Sequence, residues 1–134
     1  MTMHATGPFE VKMTPLSPDD KADSTTLGRM SNEKQFHGDL EATSKGEMLT
    51  ATTSVEGSMA YVMIERVSGT LKGRTGSFVM QHSATMTRGT PQLNVTVVPD
   101  SATGQLVGLT GKMDVKITGG QHFYEFEYSL PATP

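Results

Sequence analysis

Short runs of alternating apolar and polar residues, punctuated by glycine, extend along most of the chain, the pattern of strands with one buried face. Met3–Met13 sets Phe9, Val11 and Met13 on one side and Glu10 and Lys12 on the other. Pro15 and Pro18 end it, and LSPDDKADSTT reads as a polar loop or a single helical turn. Leu27–Gln35 is ambiguous between loop and a further short strand. From Phe36 to Thr43 the alternation is clean: Phe36, Gly38, Leu40 and Ala42 share one face, and His37, Asp39, Glu41 and Thr43 the other. Lys45-Gly46 is expected to be a two-residue hairpin turn, since glycine supplies the positive φ such turns need. That places Glu41 opposite Thr50, Asp39 opposite Thr52 and His37 opposite Ser54.

Met59–Thr87 reads as a long hairpin turning at the three residues Lys72-Gly73-Arg74. This register sets Ile64 opposite His82, Glu65 opposite Gln81 and Arg66 opposite Met80. Its inward face collects Val62, Ile64, Arg66, Phe78, Met80 and His82, so Arg66 and His82 become polar intrusions on an apolar wall. Pro91–Val98 follows with Leu93, Val95 and Val97 inward. The last hairpin pairs Lys112 with Glu127, Asp114 with Glu125 and Ile117 with His122, leaving Met113, Val115, Ile117, His122, Tyr124, Phe126 and Tyr128 inside. About eight antiparallel strands joined by tight turns predict an all-β fold, a closed eight-stranded barrel in one domain over residues 1–134. Such a barrel is filled by side chains or encloses one small ligand. A sandwich is the alternative.

Composition narrows the function. A net charge of −3 over 134 residues gives no basic footprint for nucleic acid. No apolar run is long enough to span a bilayer, and MTMHATGPFEVK has no secretion-signal pattern, so the expected location is the cytoplasm. Absence of cysteine excludes disulfides, thiolate metal sites and thiol nucleophiles. Ten methionines fall largely at strand positions and read first as core filler.

Ser101-Ala102-Thr103-Gly104-Gln105-Leu106-Val107-Gly108-Leu109-Thr110-Gly111, followed by an alternating strand, resembles a turn of allene oxide cyclase and dirigent-type barrels. FHGDLEATSKGEM, ERVSGTLKGRTGSFVMQHS and VVPDSATGQLVGLTG are similar to a bacterial family, domain of unknown function 3224, assigned to that barrel superfamily. The resemblance implies an allene oxide cyclase-like barrel with a tendency toward cavities and oligomers. The N-terminal segment MTMHATGPFEVKMTP lacks the acidic, asparagine-containing stretch of the cyclases, so no catalytic residue is carried over.

Two groups of residues carry candidate chemistry. His82 as an acid/base and Arg66 as an oxyanion stabiliser form the first, with Tyr124, His122, Tyr128, Met80 and Ile64 as the ligand-binding wall. His37, Asp39 and Glu41 form the second: a weak metal pattern, a tuned acid/base pair, or a solvent-facing polar strip, of which the last is the simplest. No metal site is expected, because no second histidine pair is spaced to complete the His37–Glu41 pattern, and no cofactor, because phosphate-loop motifs are missing. The chain is therefore read as a barrel binding a small, largely apolar molecule, with cofactor-independent isomerisation or cyclisation by proton transfer as its chemistry if it is an enzyme. The alternatives are a non-catalytic binding module and a packed barrel that forms homo-oligomers through an outer patch of Tyr61, Met63, Val67 and Val79.

Overall fold

The computed structural model describes residues 2–17 and 19–131. Nine strands are present: β1 Met3–Pro15, β2 Asp20–Ala22, β3 Thr25–Phe36, β4 Leu40–Thr53, β5 Met59–Leu71, β6 Arg74–Thr87, β7 Thr90–Val97, β8 Thr110–Thr118 and β9 Gln121–Ser129. All neighbours are antiparallel in the order β1-β9-β8-β7-β6-β5-β4-β3, and β1 also pairs with β3. Closure rests on β1 alone: Met3–Phe9 pairs with β9, and Phe9–Pro15 pairs with β3. The result is the expected closed eight-stranded barrel, with β2 added as a short flap on β3.

The expected β8–β9 register is reproduced pair for pair, from Lys112 with Glu127 to Ile117 with His122. Two other expectations are corrected. Lys45-Gly46 is not a turn. The strand β4 runs straight through it, and the chain reverses instead at His37–Asp39, where Gly38 takes φ +93°. Gly46 keeps its glycine for a different reason: a Cβ there would lie 2.7 Å from Glu65 Cβ and 2.6 Å from the Ile64 carbonyl. The apolar face of β4 is the inner one, with Leu40, Ala42, Ser44 and Met48 buried.

The β5–β6 turn is the two residues Lys72-Gly73, with Leu71 paired to Arg74. Both turn residues have positive φ, 45° and 85°, as hairpin turns that follow the strand twist require. The register is therefore one residue off the expected one. Because side chains alternate, a one-residue slip exchanges the two faces of a strand. On β5, Met63, Glu65 and Val67 are buried and Val62, Ile64 and Arg66 are outside.

The interior has two halves. At one end Leu40, Leu71, Phe78, Leu106, Leu109 and Phe126 fill the barrel completely, with Phe78 and Phe126 stacked 5.8 Å apart. At the other end the strands enclose a cup. Between β7 and β8 only Thr96 and Lys112 are paired, so these two strands part alongside it.

Candidate functional site

The cup has a volume of about 510 Å³. Its wall is apolar, contributed by Phe9 and Val11 of β1, Met48 of β4, Tyr61 and Met63 of β5, Leu93 of β7 and Val115 of β8. Met13, Pro91 and Ile117 stand exposed at its mouth, while Asn32, Met48, Met63 and His82 are buried deeper in it. His122 of β9 closes the wall beside Phe9, with ring centroids 5.2 Å apart.

Two polar residues of the lining, Lys34 and His82, converge on Glu65, which is not itself in the lining. Its side chain is fully buried. Oε1 accepts from His82 Nε2 at 2.5 Å and from Lys34 Nζ at 3.1 Å, and Oε2 accepts from Ser44 Oγ at 2.7 Å. Lys34 is only 7% exposed, and its ammonium lies 5.5 Å from the centre of the Phe9 ring. Burial by itself pushes the Glu65 carboxyl up. The hydrogen bond from His82, the Lys34 charge and the Ser44 hydroxyl together outweigh that and hold it down at about 2. An ionised carboxylate only accepts, so His82 Nε2 carries a proton and donates it. Nδ1 makes no hydrogen bond among the described residues, and His82 lines the cup. Asn32, on the same face of β3 as Lys34, donates from Nδ2 to Met48 Sδ at 3.6 Å. Its Oδ1 is buried without a partner.

His82 is thus where the sequence reading placed it, and His122 is in the wall. Arg66 is not inside: the register slip turns it outward to an exposed position opposite Lys45. Ile64 follows it and is 54% exposed. Met80 is buried but does not line the cup. Tyr124 and Tyr128 lie in the packed half and are also absent from the lining. Tyr124 is a structural latch. Its hydroxyl donates to the His37 carbonyl at 2.7 Å and accepts from the Leu40 N–H at 2.8 Å, fixing the β3–β4 turn. Burial pushes its phenol up to about 12.

His37, Asp39 and Glu41 sit together on that turn, away from the cup. His37 Nε2 meets Glu10 at 2.6 Å, Asp39 accepts from the Thr6 N–H, and Glu41 accepts from the Gly38 N–H. Their polar atoms serve the turn itself. Among the described residues no group of three or more His, Asp or Glu is placed to hold a metal, and no helix is long and apolar enough to cross a membrane. The expected outer patch is also corrected, because Met63 and Val67 are buried and Tyr61 lines the cup. The outer face of β4–β5 instead exposes Leu49, Val62 and Ile64.

Glu65, Lys34, Ser44 and Asn32 were missed in the sequence. The signal was a charge in the row Tyr61, Met63, Glu65, Val67 and a glycine, Gly46, in the strand beside it. The model for the family described as "Protein of unknown function (DUF3224)" matches residues 5–128. The chain belongs to this family. A solved structure of a protein with unknown function from the same family, from Shewanella oneidensis MR-1, is 48% identical and superposes with a TM-score of 0.93. The match covers 98% of this chain and 99% of that one. No curated protein matches.

Proposed function

We propose that this family member binds a small, largely apolar molecule in the cup, and that His82, held by Glu65, moves a proton on it. The observation that carries this reading is a buried histidine on the wall of a mostly apolar cavity, paired with the carboxylate of Glu65. A carboxylate on Nε2 fixes the ring and leaves Nδ1 as the atom that exchanges a proton with a ligand. Lys34 replaces Arg66 as the inner cation, but its charge is already matched by Glu65. The expected reaction is a cofactor-independent isomerisation or cyclisation, in which a dry, shaped pocket does most of the positioning. The similarity of Ser101–Gly111 to the allene oxide cyclase turn bears on the barrel and its cavity and not on the reaction.

The test is proton exchange at carbon. Apolar aryl ketones are first screened for binding, and loss of their α-hydrogens is then followed in D2O. The protein is expected to accelerate exchange of the ketones it binds, and His82→Gln to abolish the acceleration while retaining binding. Exchange at the wild-type rate in His82→Gln would remove His82 from this role. Binding without exchange across the panel would favour the second reading, a carrier or sensor. That reading draws on the same cluster, since every bond to Glu65 is internal and stabilises the barrel whether or not chemistry occurs.

A further inference from the structure

The deep part of the cup holds a buried hydrogen-bond acceptor that no donor among the described residues meets. Asn32 is 4% exposed and belongs to the lining, and its Oδ1 has no partner among the described residues. The orientation of the amide follows from its neighbour. Met48 Sδ can only accept, so the NH2 group must face it and the oxygen must face away. Lys34, the lysine of the lining, is engaged by Glu65 Oε1 and lies beside the Phe9 and Phe36 rings. At Asn32 Oδ1 a ligand carboxylate would set acceptor against acceptor. A buried acceptor left unpaired is costly, which is a reason for a ligand to supply its donor.

We propose that the cup selects an apolar molecule ending in a neutral hydroxyl, an alcohol or phenol, whose O–H donates to Asn32 Oδ1. This rests on the reading of the cup as a ligand site and adds the class of ligand. Four probes with one apolar body separate the two claims: 1-naphthol, 1-methoxynaphthalene, naphthalene and 1-naphthoate, titrated against the full chain. The wild type is expected to bind 1-naphthol about tenfold tighter than 1-methoxynaphthalene, the worth of one net hydrogen bond. It should bind 1-naphthoate no better than the ether. Asn32→Leu, similar in size and without polar atoms, should abolish the preference for 1-naphthol over the ether.

Equal binding of naphthol and ether, or a preference unchanged in Asn32→Leu, overturns the hydroxyl assignment alone; water then serves Asn32. Tightest binding of the naphthoate overturns it in favour of an anion. Failure of all four to bind overturns the ligand reading beneath it and this inference with it. Should Asn32→Leu not fold, a crystal of the wild type with 1-naphthol decides. A naphthol oxygen about 2.8 Å from the Asn32 side chain supports the assignment, and an oxygen placed elsewhere refutes it.

Discussion

Glu65 is a fully buried charge with three hydrogen-bonding partners, and such a group destabilises the fold as soon as one half of its ion pair is removed. Replacing it by glutamine keeps the shape but leaves Lys34 without its counter-charge. Glu65→Gln is expected to lower stability by ~3 kcal/mol at neutral pH, measured by urea unfolding. The pH dependence has a definite sign. With its folded value held down at about 2 against an ordinary 4.5, Glu65 adds stability above pH 4.5 and loses that contribution as the pH falls toward 2. The stability gap between wild type and variant should therefore be widest above pH 4.5 and narrow across that window. A gap that is small at neutral pH, or that widens on acidification, would contradict the buried-pair account.

At the scale of elements, the hairpin β5–β6 decides which charge lies inside the barrel. Lys72 occupies the first of two left-handed turn positions at φ +45°, a conformation that costs an ordinary residue ~1 kcal/mol and asparagine less. Lys72→Asn is thus expected to stabilise the protein by about 0.5–1 kcal/mol, seen as a higher thermal midpoint. A lower midpoint would mean that the lysine side chain contributes to the turn. The same position explains where the sequence stopped being legible. The strands, their number, the β8–β9 register and the inward His82 followed from alternation and glycine spacing. The β5 face did not, because both of its rows are apolar with one charge each: Val62, Ile64 and Arg66 against Tyr61, Met63, Glu65 and Val67. Only turn length separates the two choices, and a lysine in a left-handed turn gives no sequence cue. Lys45-Gly46 misled for a related reason. Its glycine makes room for Glu65 across the strand pair rather than turning the chain.

For the whole molecule, the consequence is a division of labour along the barrel axis. Close-packed aromatic and aliphatic side chains fill one end and the Tyr124 latch fixes its turn, so the fold does not depend on a ligand. The other end is left open as the cup, flanked by the parted strands β7 and β8 and provided with a charged cluster that one strand alone could not hold. Methionines report on both halves: Met48 and Met63 line the cup, whereas Met80 and Met113 are buried outside it. The most direct test of the cup as a ligand site is a methyl NMR titration of methionine-labelled protein with 1-naphthol. Saturable shifts at Met48 and Met63, with Met80 and Met113 unmoved, are the predicted result. No shift at Met48 and Met63, or equal shifts at all four methyls, would contradict a ligand site in the cup.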